Sequence, residues 1–147
     1  MPTEKKELAI CRVDKELPLP KYETDGSLGF DLACRQDTEI KPGEITLIPA
    51  NVIIKIPADF VLFITLRSST PRKKGLIMPH GVGVIDSDYC GPKDEIKIQV
   101  QNTSSEIAKV KKGERIAQGI LLRCDKFRFK EVEKMKNKSR GGFGSTG

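Results

Sequence analysis

A chain of 147 residues is long enough for one domain with a sizeable core and too short for two ordinary ones, and residues 1–137 are read as that domain, with 1–7 disordered. Hydrophobic residues make up 37%, no apolar run reaches the length of a membrane span, and the first seven residues lack a signal-peptide core, which argues for an intracellular, cytoplasmic protein, or a nuclear one in a eukaryote. The net charge of +6 is uneven: positions 109–140 hold 12 basic and 4 acidic residues against 14 and 16 elsewhere, so one end of the chain is suited to a polyphosphate, a nucleic acid or a membrane surface.

Short apolar or alternating segments predict strands at 8–13, 30–34, 45–48, 52–56, 61–66, 83–85, 95–101, 116–122 and 126–132. Turn chemistry separates them at Asp25-Gly26 and around 41–44, 57–59, 91–94 and 111–114. Sustained helical periodicity is missing, so at most one short helix is expected, either at 131–137 or in the loop after Ser69. The pattern predicts an all-β fold, a jelly-roll-like barrel or sandwich, followed by a mobile glycine-rich arm at 138–147.

Few residues can carry chemistry. Cys11, Cys34, Cys90 and Cys124 are scattered without a C-x-x-C pair, and His80 is the only histidine, so neither a zinc cage nor serine–histidine catalysis is expected. Asp86 and Asp88 follow the apolar strand 83–85. A calcium loop starting at Asp86 would put Cys90 and Lys97 at liganding positions, which excludes it. Asp86 can instead act as a general base mounted at a strand end. Arg67, Ser68 and Ser69 place a guanidinium and hydroxyls together, and Gln118, two residues beyond Ile116, is expected on the same face as that residue. In the arm, Arg140, Ser145 and Thr146 can donate to anionic oxygens while Phe143 offers a flat apolar face, a combination suited to a nucleotide. The arm is not a P-loop, because neither lysine nor helix follows its glycines.

Taken together, Gly26-Ser27-Leu28-Gly29-Phe30-Asp31-Leu32, Arg67-Ser68-Ser69, Gly83-Val84-Ile85-Asp86-Ser87-Asp88-Tyr89, Gly113-Glu114-Arg115-Ile116-Ala117-Gln118 and the closing Gly141-Gly142-Phe143-Gly144-Ser145-Thr146-Gly147 resemble the five ordered motifs of the trimeric dUTPase family. The resemblance implies a jelly-roll homotrimer with active sites shared between subunits, hydrolysing dUTP to dUMP and pyrophosphate and so keeping uracil out of DNA. It implies that Asp86 orients the attacking water and that Tyr89 packs on the deoxyribose. Uracil is then read by a hairpin of 83–85 and 95–101, involving Gly83, Val84, Ile85 and Lys97, with His80 at its mouth. Arg67, Ser68, Ser69, Gln118, Arg140, Ser145 and Thr146 hold the phosphates, and Phe143 covers the base. Magnesium rides mainly on the triphosphate, with Asp31 reaching it through water. No membrane or stable nucleic-acid partner is implied.

The sequence departs from the family pattern in three places. Ser69-Thr70-Pro71 replaces the usual Gly-Leu after Arg67-Ser68, residues 91–95 lengthen the connection after the acidic turn, and the arm offers Lys138 or Arg140 as its cation. Arg140 is preferred, because a guanidinium grips phosphate bidentately. Two rival readings are a dCTP deaminase-like enzyme of the same fold and a non-enzymatic nucleotide or nucleic-acid binding module using the basic end.

Overall fold

The computed structural model describes residues 6–145. Eleven strands and one short helix follow in the order β1 Ile10–Arg12, β2 Gly29–Ala33, β3 Thr38–Ile40, β4 Ile45–Pro49, β5 Val52–Ile54, β6 Phe60–Leu66, α1 Thr70–Lys74, β7 Leu76–Ile77, β8 Gly83–Ile85, β9 Lys97–Asn102, β10 Ala108–Val110 and β11 Arg115–Arg123. Every described pairing is antiparallel. A four-stranded sheet in the order β2-β11-β6-β8 and a three-stranded sheet in the order β4-β9-β7 are accompanied by the pairs β1-β5 and β10-β3. This is the expected all-β, jelly-roll-like architecture.

Period-two alternation builds the core. Phe30 and Leu32 of β2, Leu62 and Ile64 of β6 and Ile98 and Val100 of β9 all turn inward and are buried. Burial of a side chain of this size stabilises by roughly 1.5–3 kcal/mol, and these residues form one continuous cluster with Ile40, Ile48, Ile54 and Ile116. Cys34 sits in the same cluster, and burial pushes its thiol up to about 12, so it stays protonated and is no nucleophile.

The structure corrects several expectations. Strands β3, β7 and β10 span two or three residues each, too short to show alternation. Residues 126–132 alternate as a strand should, yet they are irregular and exposed, with no ladder partner among the described residues. The helix takes the position after Ser69, where Pro71 presets its first turn and Gly75 ends it at φ 65°. Residues 131–137 are not helical. The disorder expected at 1–7 falls mainly outside the described residues.

Candidate active site

One cleft is made on the outer face of the four-stranded sheet. Because Phe30 and Leu32 point inward, Asp31 of β2 points outward, and β11 sets Gln118 directly opposite it. A β-bulge decides this. Arg115 pairs with Ala33 and Ala117 with Leu32, so Ile116 is the extra residue, and it is buried together with Ala117. Ile116 and Gln118 therefore do not share a face, contrary to the simple alternation. The bulge instead brings Arg115 and Gln118 to the same side. Gly29 completes the floor: a Cβ there would stand 2.7 Å from Gln118 Oε1.

The bulged carbonyl of Ile116 anchors the next part. It accepts the Arg67 N–H at 2.9 Å and the buried Thr70 hydroxyl at 2.7 Å, which ties the end of β6 and the start of α1 to β11. The guanidinium of Arg67 donates to the Arg115 carbonyl at 3.2 Å, and its Nε lies 3.3 Å from Asp31 Oδ1. Arg115 bridges Asp31, 3.4 Å from Oδ2, to Glu23. The contact with Oδ2 is a charge contact without hydrogen-bond geometry, since that buried oxygen has no hydrogen-bond partner. Arg67, Ser68, Gln118, Asp31, Ser27 and Glu23 thus line one cleft, assembled from segments far apart in sequence. Ser69 stands beside it at the N-terminus of α1, where its carbonyl accepts the Lys73 N–H at 2.9 Å.

Asp86 is elsewhere on the same chain. β8 pairs Ile85 with Leu62, so Asp86 leaves the strand beside Val61 and shares a cavity with Ser87, Asp88, Phe63 and the exposed Val84. Arg67 follows the last residue of β6, six residues on from Val61, or about 20 Å at roughly 3.3 Å per residue. The two linings have no residue in common. Tyr89 closes the acidic turn by donating its N–H to the Asp86 carbonyl at 3.2 Å.

The expected uracil hairpin is not a ladder. Residues 83–85 pair with β6, whereas Lys97–Asn102 pair with β4 and β7, so the two strands belong to different sheets and the acidic turn begins a crossing between them. Buried Gly83 packs against Ile64, and Ile85 is half-buried. Lys97 is exposed at the head of β9 opposite Pro49, and His80 is exposed in a turn closed by the Gly81 N–H on the Met78 carbonyl at 3.1 Å.

In the arm, Arg140 and Phe143 are exposed, and Phe143 has φ 53° in a turn where the Ser145 N–H donates to the Gly142 carbonyl at 3.0 Å. Thr146 lies outside the described residues.

A dUTPase family model matches residues 15–147, nearly the whole chain and all five motifs. The chain belongs to the dUTPase family. Among its relatives, the deoxyuridine 5'-triphosphate nucleotidohydrolase of Finegoldia magna is 45% identical over 134 residues, covering 88% of this chain and 92% of its own. That of Helicobacter pylori is 35% identical and covers 95% and 96%. The dUTPase of Streptococcus mutans superimposes with a TM-score of 0.75 at 34% identity over 82% of this chain and 98% of its own. The Staphylococcus bacteriophage 80alpha dUTPase with dUPNHPP shares the fold, with a TM-score of 0.85 at 24% identity over 97% and 99%.

Within this dUTPase chain, the structure adds residues that sequence reading had not singled out. Glu23 and Ser27 enter the cleft from the loop before β2, and Arg115 braces Asp31. Arg115 stood inside a recognised motif, but only the bulge reveals which way it faces. Glu23 carries no local signal at all.

Proposed function

We propose that the chain hydrolyses dUTP to dUMP and pyrophosphate, supplying dUMP and removing the precursor that would put uracil into DNA. The observation that carries this is the convergence of Arg67, Ser68 and Gln118 in one cleft, within a chain that matches the dUTPase family along its length. Asp86 takes a proton from a water whose oxygen attacks the α-phosphorus. The bond to the bridging oxygen breaks and pyrophosphate leaves. Fixed donors from Arg67, Ser68, Ser69 and Gln118, and from Arg140, Ser145 and Thr146 of the arm, hold the phosphate oxygens as charge shifts onto the leaving group. Tyr89 lies against the deoxyribose and Phe143 over the base. Uracil is read along Gly83, Val84 and Ile85, with His80 and Lys97 at its edges.

Magnesium fits this donor set only through the substrate. No cluster of three acidic, cysteine or histidine side chains forms among the described residues, but Asp31 offers a buried oxygen without a hydrogen-bond partner at the cleft. Asp31 would hold the ion through water, and the ion would neutralise charge on the triphosphate. A relative from phage phi11 carries a structural Mg(II) ion.

The separation of about 20 Å between Asp86 and Arg67 along β6 supports a homotrimer whose sites draw the carboxylate from one subunit and the phosphate donors from another. Mixing inactive Asp86→Asn and Arg67→Ala chains then restores activity. Among the described residues no helix is long and apolar enough to cross a membrane, and a cytoplasmic setting matches the substrate.

The test is incubation with dUTP, dCTP, dTTP and UTP plus magnesium, with every product identified. The expected outcome is dUMP and pyrophosphate from dUTP alone, with Asp86→Asn slower by roughly 10²- to 10⁴-fold yet still binding. Ammonia from dCTP would mark a deaminase. Absence of turnover combined with salt-sensitive binding of single-stranded DNA would mark a binding module.

A further inference from the structure

The segment that lengthens the chain after the acidic turn, residues 91–95, ends in the one charged residue that is buried among the described residues. Glu95 is 9% exposed. Its carboxylate accepts Arg35 Nε at 2.6 Å and Arg35 Nη2 at 3.1 Å, a bidentate grip, and also the Asn51 N–H at 3.0 Å. Asn51 holds its side of the contact in a left-handed conformation, φ 69°, while its side chain accepts the Asp14 N–H at 2.6 Å and donates to the Asp14 carbonyl at 3.0 Å. The next residue, Ile96, is fixed to both neighbours: its carbonyl accepts the Ala50 N–H at 2.8 Å and its N–H donates to the Val52 carbonyl at 2.9 Å.

The backbone carbonyl of this same Glu95 accepts the Tyr89 hydroxyl at 2.9 Å. Tyr89 in turn donates its N–H to the Asp86 carbonyl at 3.2 Å. The inserted turn between them is closed by two bonds, from the Gly91 N–H to Asp94 Oδ2 at 2.8 Å and from the Asp94 N–H to the Gly91 carbonyl at 3.1 Å. A continuous line of hydrogen bonds therefore runs from the Arg35 guanidinium through Glu95 and Tyr89 to Asp86. A buried ion pair is a costly way to gain stability alone, and one held by three bonds fixes position well.

We infer that Arg35 and Glu95 are positioning residues for sugar selection: by holding the Glu95 carbonyl in place they fix the Tyr89 ring, and the fixed ring excludes the ribose 2'-hydroxyl. The inference rests on the proposed contact between Tyr89 and the deoxyribose. A ring that has lost its hydroxyl anchor can back away and admit the extra oxygen, so selectivity should fall before overall activity does.

The experiment compares kcat and KM for dUTP and for UTP, together with the thermal midpoint, in the full-length chain and in Tyr89→Ala, Tyr89→Phe, Arg35→Gln, Glu95→Gln and the Tyr89→Phe/Arg35→Gln double variant. Tyr89→Ala tests the sugar contact itself and should lower the dUTP to UTP ratio of kcat/KM by more than about tenfold. Tyr89→Phe and Arg35→Gln should each lower that ratio by about three- to tenfold, the scale of one hydrogen bond. The double variant should lower it no further, because both changes release the same ring. If Tyr89→Ala loses selectivity while Tyr89→Phe keeps it, the positioning role is wrong and the sugar contact stands. If Arg35→Gln and Glu95→Gln lower only the thermal midpoint, the pair is structural and the inference falls. Unchanged selectivity in Tyr89→Ala removes the sugar contact and the inference with it. Should Arg35→Gln not fold, Glu95→Gln, which keeps an acceptor for Asn51, and Tyr89→Phe, which keeps the ring, decide the matter.

Discussion

Gly29 is glycine because Gln118 occupies the space where a side chain would be. The obstructing atom is the far end of a flexible side chain, so an added methyl displaces Gln118 instead of breaking the sheet. Gly29→Ala is therefore expected to fold with a nearly unchanged thermal midpoint while KM for dUTP rises about three- to tenfold through one lost phosphate donor. An unaltered KM would take Gln118 out of the phosphate site. Asp31 is explained at the same scale. It faces the guanidiniums of Arg67 and Arg115, so its first task is to hold two cations in place, and its remaining oxygen is what a hydrated ion on the substrate can use. The acidic turn shows the same economy of parts, since the Asp86 carbonyl caps the turn through the Tyr89 N–H while its carboxylate stays exposed and available to water.

At the scale of elements, β1, β2, β4, β5, β6, β8, β9 and β11 were legible because their alternation is long enough or their apolar run distinctive enough to mark one buried face. What the pattern could not carry was anything set by a partner. The bulge at Ile116 exists in the pairing with β2, so the sequence alone placed Gln118 on the wrong face. Residues 83–85 and 95–101 looked like a hairpin because they are neighbours in the chain, yet each finds better company in a different sheet. Residues 126–132 had a strand's alternation but no ladder to join. The arm was legible as an element without a core, since glycines and hydroxyls there have nothing to bury. A chain ending at Asn137 should keep the fold while losing turnover by roughly 10²-fold, the scale of removing fixed donors from a reacting phosphate. Full activity in that truncation would return the arm to an idle terminus.

Taken as a whole molecule, the protein lowers two carboxyls, Asp14 and Glu114, through ion pairs with lysines. The hydrogen bond from Lys112, followed by the Glu16 N–H, holds the carboxyl of Asp14 below its ordinary 3.8, and Lys112 is raised in return. For Glu114, burial works in the raising direction, but the bond from Lys74 and the Lys111 N–H outweigh it and leave the carboxyl below 4.5. A carboxyl lowered on folding adds stability above its unfolded value and loses it as pH falls through the folded one. The thermal midpoint should therefore stay level from about pH 5 to 8 and drop below about pH 4, modestly because the pairs are partly exposed, and with added salt shrinking the effect. At the alkaline end, the Cys34 thiol, raised from 9.0 to about 12, withdraws stability as pH climbs between those values, because only the unfolded chain ionises freely. A midpoint that rose on acidification would contradict these pairings. In the proposed reaction water attacks the α-phosphorus. Turnover of dUTP in water enriched in oxygen-18, followed by mass spectrometry of both products, tests it most directly. The label is expected in dUMP, appearing roughly 10²- to 10⁴-fold more slowly with Asp86→Asn; label in pyrophosphate, or an undiminished rate of labelling without the Asp86 carboxylate, would contradict the account.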